Sequence, residues 1–137
     1  MNKIEIKFDA LSQNEAFARL AIAGFILYKN PGVNDLEDIK MAVSEAVTNS
    51  IIHGYNNNGG SIRMYCEINK DTLKVEIEDY GIGIDNIEQA RKPLYTSRPQ
   101  DERSGMGFTI MEAFMDKISV VSEKNKGTKI TMYKDLK

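Results

Sequence analysis

Polar and apolar residues alternate at the start of the chain. Ile4, Ile6 and Phe8 interleave with Lys3, Glu5, Lys7 and Asp9, the pattern of a strand with one buried face. Ser12 followed by Glu15 reads as a capping box opening a helix that runs to about Lys29, where Asn30-Pro31-Gly32 ends it. A second helix starts near Asn34 or Asp35 and reaches His53, stopped by Gly54 and the loop Asn56-Asn57-Asn58-Gly59-Gly60. Its core stripe is Leu36, Ile39, Val43, Ala46, Val47 and Ser50. Ile62, Met64, Cys66 and Ile68 then share one face of a strand; Leu73, Val75 and Ile77 share a face of its hairpin partner, with the turn at Asn69-Lys70-Asp71.

The period is lost after Asp79. Residues 84–104 are largely polar, contain Pro93 and Pro99, and read as a loop of a length usually found in functional lids or disordered segments. A third helix fits Gly105 to Met115, and a last hairpin fits Ile118–Ser122 and Thr128–Tyr133. The order β-α-α-β-β-lid-α-β-β predicts an α+β two-layer sandwich, a mostly antiparallel mixed sheet covered on one face by three helices. A single domain over residues 1–137 is expected, with the lid at about 84–104.

Charge and composition narrow the function. Eighteen Lys+Arg against 20 Asp+Glu give a net charge of −2, so the basic footprint of direct nucleic-acid binding is absent. One cysteine excludes an internal disulfide, and one histidine leaves no zinc-ligand set. The longest apolar run, Leu20 to Tyr28, is too short to span a bilayer, and the alternating N-terminus is not a signal peptide. A cytoplasmic domain with no membrane partner is expected.

Three segments can carry chemistry. Glu45 and Asn49 are neighbours four apart on the second helix. They are either a solvated face or a carboxylate base beside an amide oxygen for a hard cation such as Mg²⁺, and spacing alone does not choose. Asp79-Tyr80-Gly81-Ile82-Gly83 is either an ordinary strand-ending turn or a carboxylate facing an exocyclic amine, with glycines that let the backbone approach a flat ligand. Ser104-Gly105-Met106-Gly107-Phe108 opens the third helix with free N–H groups suited to an anion; Arg103, just upstream, is placed to reach a terminal phosphate. The segment is neither a Walker A loop nor a dinucleotide fingerprint.

In this order, Glu45-Ala46-Val47-Thr48-Asn49, Asp79-Tyr80-Gly81-Ile82-Gly83 and Gly105-Met106-Gly107-Phe108 resemble the N, G1 and G2 boxes of the ATPase/kinase superfamily that unites gyrase, heat-shock chaperones, histidine kinases and MutL. Gly127-Thr128 looks like its late Gly-Thr element beside the adenine pocket. The stretch from Asn49 to Tyr55 is similar to the branch of free-standing serine kinases that act as anti-sigma factors in spore-forming bacteria. The resemblance implies ATP and ADP as ligands with Mg²⁺, Asp79 reading adenine with Thr128 in support, and Gly81 and Gly83 admitting the ring. It implies Asn49 on the metal, Gly105, Met106, Gly107 and Phe108 at the phosphates, Arg103 on the γ-phosphoryl, and Glu45 as base for an incoming serine. The implied partners are a sporulation sigma factor, kept from RNA polymerase, and a serine-phosphorylated anti-anti-sigma factor, with a homodimer as the working unit. Two alternatives are a nucleotide-gated sigma-binding module without turnover and a stress-response anti-sigma kinase. His53 reads as a local helix cap or pocket wall. Arg19, within the apolar first helix, is either a partner contact or a salt-bridged surface residue, and that helix's nearly all-round apolarity suits a core combined with a dimer interface.

Overall fold

A computed structural model of the chain describes residues 1–84 and 107–137. Strand β1 (Asn2–Asp9) is followed by helix α1 (Ser12–Ile26), a 3-10 turn (Leu27–Lys29), helix α2 (Val33–Asn49) and a π-helical turn (Ser50–Gly54). Strands β2 (Ser61–Asn69) and β3 (Thr72–Asp79) form a hairpin; helix α3 (Gly107–Phe114) precedes β4 (Lys117–Glu123) and β5 (Gly127–Asp135). The expected lid, with Arg91, Lys92, Arg98 and Arg103, lies outside the described residues except for Ile84.

The five strands form one sheet in the order β1-β2-β3-β5-β4. Every pairing among the described residues is antiparallel, so the mixed component of the expected sheet does not occur there. Strand β5 returns between β3 and β4 rather than extending the edge, which sets Asp79 at the end of β3 opposite Thr128 at the start of β5.

The alternation of each strand explains the two layers. Ile62, Met64, Cys66 and Ile68 on β2, Leu73, Val75 and Ile77 on β3, and Ile130 and Met132 on β5 turn to one face, all of them buried. The helices cover this face with Ala18, Ile22 and Ile26 from α1, the predicted α2 stripe, and Phe108 and Met111 from α3. Helix α2 is the middle one, packed against both α1 and α3. Burying an Ile or Met side chain contributes about 1.5–3 kcal/mol, so this shared layer dominates stability. Burial pushes the Cys66 thiol up to about 12, so it behaves as a small hydrophobe. The other face is polar: Arg63 bonds Glu5 at 2.7 Å and Glu76 at 3.0 Å, with its guanidinium 5.3 Å from the Tyr65 ring centre. Burial opposes ionisation of Glu76, but Arg63 and Lys74 outweigh it and hold that carboxyl below the ordinary value.

Three helix ends differ in form from expectation. The capping box does not form: Leu11 is the N-cap, Ser12 already lies in the helix, and Glu15 instead pairs with Arg19 at 3.1 Å and accepts the Ser44 hydroxyl. Helix α1 tightens to a 3-10 turn after Ile26, ending at Asn30 in the left-handed region with φ 51°. The end of the second helix is a π-helical turn, not a continuation of regular α-helix.

Candidate functional site

The site is a corner where the π turn after α2, the end of β3 and the start of β5 meet. Asp79 is the last residue of β3 and, by strand alternation, faces the core; only 2% of it is exposed. A carboxylate there needs donors, and three reach it among the described residues: the Gly81 N–H at 3.0 Å from Oδ1, the Ser50 hydroxyl and the Thr128 N–H. Burial raises the Asp79 pKa above the ordinary aspartate value; the three donors work against that, and the nearby Glu78 charge adds to it. An ionised carboxylate has about four acceptor positions, so among the described residues these three donors leave one for a ligand.

Close backbone packing makes room for this group. A Cβ on Gly54 would stand 2.9 Å from the Asp79 Cγ and from both carboxylate oxygens, so the flat face of the carboxylate rests on the glycine. Gly81 in turn rests on Gly54, whose carbonyl accepts the Ile82 N–H at 2.9 Å. Of the two glycines of the turn, only Gly83 uses the left-handed region, with φ 79°; Gly81 is required by space. Thr128 is buried, with its hydroxyl 2.8 Å from Ser122 Oγ, which accepts the Ile84 N–H at 2.7 Å. The turn from Asp79 to Ile84 is thereby tied to α2 on one side and to the β4–β5 hairpin on the other.

Glu45 and Asn49 are half-buried on α2, neither in the core stripe nor on a fully solvated face. Asn49 closes the helix and immediately precedes Ser50, so chain adjacency sets it beside the Asp79 corner, with Glu45 one turn earlier. π turns in α-helices are frequent at functional sites, and this one directly follows Asn49. His53 lies half-buried within it. No group of three or more His, Cys, Asp or Glu that could hold a metal ion occurs among the described residues. A hard cation near Asn49 would therefore take most of its oxygens from water or from a phosphate-bearing ligand, as Mg²⁺ commonly does.

Gly107 is the first described residue of α3, while the Phe108 side chain is buried in the core, leaving only its backbone to meet a ligand. Arg103, Gly105 and Met106 lie outside the described residues. The structure thus brings together Asp79, Gly81, Gly83 and Thr128, with Asn49 adjoining. Arg19 is ion-paired to Glu15 on α1 with 43% of its side chain exposed.

Four members of the corner carried little signal in the sequence. Ser50 sat in an otherwise apolar stripe, and a hydroxyl at a buried position is itself a sign of a buried acceptor. Gly54 read as a helix stop, Tyr55 only as the end of the stretch that carries the family resemblance, and Ser122 only as a strand residue.

The sequence profile described as the histidine kinase-like ATPase domain matches residues 10–134. The chain is 59% identical over 133 residues to the anti-sigma F factor of Clostridium acetobutylicum, covering 97% of this chain and 93% of that protein. It is 58% identical over 134 residues to the anti-sigma F factor of Clostridium beijerinckii, covering 97% and 94%. Among solved structures, the crystal structure of the RsbU and RsbW domains of a Mycobacterium tuberculosis protein is similar with a TM-score of 0.71 and 18% identity, over 99% of this chain and 32% of that longer one. The catalytic domain of the histidine kinase ThkA is similar with a TM-score of 0.59 and 19% identity, over 99% and 97%. At these identities the two structures speak for the fold alone.

Proposed function

The chain belongs to the anti-sigma F factor family of histidine kinase-like ATPase domains, and from that premise we propose that it is an Mg-ATP-dependent serine kinase acting as an anti-sigma factor. It holds a sporulation sigma factor, sigma-F, away from RNA polymerase and phosphorylates a serine of the anti-anti-sigma factor. The observation that carries the nucleotide half of this reading is the buried Asp79 carboxylate, with three internal donors, one acceptor position left, and glycine backbone on its flat face. That combination suits the exocyclic amine of a planar base.

In this reading Asp79 accepts from the adenine amine, Thr128 supports the carboxylate, and Gly81 and Gly83 pack the turn onto Gly54 and Glu123, holding its backbone beside the base. Asn49 offers its side-chain oxygen to Mg²⁺, which when bound neutralises charge developing on the phosphates. Gly105, Met106, Gly107 and Phe108 present backbone N–H groups to the phosphates, and Arg103 steadies the terminal one. Glu45 orients the serine hydroxyl and takes its proton. The working unit is a homodimer in the cytoplasm. Phe17 and Leu20 on α1, 47% and 71% exposed, supply apolar surface for assembly, and the partly exposed Arg19 supplies a charged contact for a protein partner.

The test is incubation with γ-labelled Mg-ATP, with and without the candidate anti-anti-sigma protein. Label on a serine of that protein is expected. Tight ATP binding with no label anywhere would replace the kinase with a nucleotide-gated sigma-binding module, and no ATP binding would overturn the whole reading.

A further inference from the structure

Tyr55 does something that the proposed function leaves unused. The β2–β3 ladder runs in register to the pair Ile62 and Asp79, and the residues next in line are Ser61 and Tyr80. Carbonyls along a strand face its two neighbours alternately. The Gly60 carbonyl faces β1, accepting the Ala10 N–H at 2.8 Å, so the Ser61 carbonyl faces β3. The Tyr80 N–H is the natural donor for the next rung. The Tyr55 hydroxyl stands between them instead: it accepts the Tyr80 N–H at 2.7 Å and donates to the Ser61 carbonyl at 2.6 Å.

A phenol oxygen inserted into a rung holds the two backbones apart by its own width. Beyond Asp79 the chain therefore leaves β2 and turns toward Gly54, where the Ile82 N–H finds its acceptor. The spacer is itself fixed. The Tyr55 N–H donates to the Ser50 carbonyl at 3.0 Å, its carbonyl accepts the Asn58 N–H at 2.9 Å, and Gly60 lies so close to the ring that a Cβ there would be 2.5 Å from it. The same residue thus anchors to the π turn whose Ser50 hydroxyl bonds Asp79.

We infer that Tyr55 is a positioning residue for base selection: its hydroxyl, bridging Ser61 and Tyr80, keeps Gly81 bonded to Asp79 and so holds that carboxylate in the orientation that discriminates an amine-bearing base. This rests on the reading of Asp79 as the adenine contact. In Tyr55→Phe the rung is free to close directly, drawing Tyr80 and Gly81 toward β2 and turning the carboxylate.

The experiment measures the affinities of the full chain for ATP and for inosine triphosphate, whose 6-oxo group replaces the amine with an acceptor. The wild type should prefer ATP, and Tyr55→Phe should shrink that preference by about tenfold or more, the worth of one well-made hydrogen bond to a charged acceptor. Its urea midpoint should move little, which separates positioning from general destabilisation. An unchanged ratio in a folded Tyr55→Phe would overturn the inference, as would a variant that does not fold, because Tyr55 would then serve the fold as a whole. Amide exchange on the wild type gives a check that needs no variant: the Tyr80 N–H should be protected without nucleotide, and fast exchange there would overturn the bridge. A wild type with no preference between the two nucleotides would instead sink the adenine reading of Asp79, and this inference with it.

Discussion

Gly81 packs directly on the backbone of Gly54, where a Cβ at position 81 would stand 2.0 Å from the Gly54 carbonyl oxygen. That carbonyl is fixed, because it accepts the Ile82 N–H and sits in a π turn whose side chains are largely core. The contact closes the corner around Asp79, and neither glycine can yield without moving the other's segment.

Gly81→Ala is therefore expected to lose about 1–3 kcal/mol of stability by overpacking, read as a lower urea midpoint. Nucleotide binding should fall with it, because the alanine pushes the turn off Gly54 and breaks the Gly81 N–H bond to Asp79. A variant as stable as the wild type would show that the turn relaxes freely.

Asp79 gives opposite pH signatures for stability and for binding. Its pKa is raised in the folded protein by burial, so its contribution to stability is fully present below the unfolded value and is lost as pH rises through the folded value. Nucleotide affinity should run the other way, because the ionised carboxylate accepts from an amine much more strongly than the neutral acid does. It should weaken as pH falls through the raised value, earlier than for an ordinary aspartate. Titration calorimetry of ATP binding against pH checks this, with Asp79→Asn expected to bind weakly at every pH and to lose the dependence.

Glu45→Gln keeps the shape and polarity of a half-buried helix position while removing a base. Phosphoryl transfer to the antagonist serine should fall by roughly 10²–10⁴-fold, with Mg-ATP affinity within a fewfold of wild type. Transfer at the wild-type rate would remove Glu45 from the chemistry.

Asn49→Ala should leave the fold intact, since Asn49 lies outside the core stripe of α2. Its effect should appear as a sharp loss of affinity for Mg-ATP, with much less change for ATP measured in a chelator. Equal binding of Mg-ATP by variant and wild type would show that the metal is held elsewhere.

Much of the layer structure was legible in the chain. The alternation of Ile62, Met64, Cys66 and Ile68, and the i, i+3, i+4 stripe of α2, are local consequences of strand and helix geometry, and the structure buries those residues, Leu36 only partly. The capping box at Ser12 was misleading because Glu15 has better partners in Arg19 and Ser44, the latter on another helix and invisible to local reading. The π turn was equally hidden: nothing in Ser50-Ile51-Ile52-His53-Gly54 breaks a helical pattern until Gly54, yet the Ile82 N–H and the Asp79 carboxylate, both distant in sequence, draw on this turn.

Strand and helix positions, the apolar face of each element and the short segments that carry chemistry all follow from local order in the chain, because periodicity and turn preference act over a few residues. The entry of β5 between β3 and β4, which sets Thr128 on Asp79, and the completion of the corner by Ser50, Gly54 and Tyr55 arise only from the folded arrangement. Those choices depend on which distant backbone edges pair and which buried polar groups must find donors, and such long-range requirements leave no period in the chain.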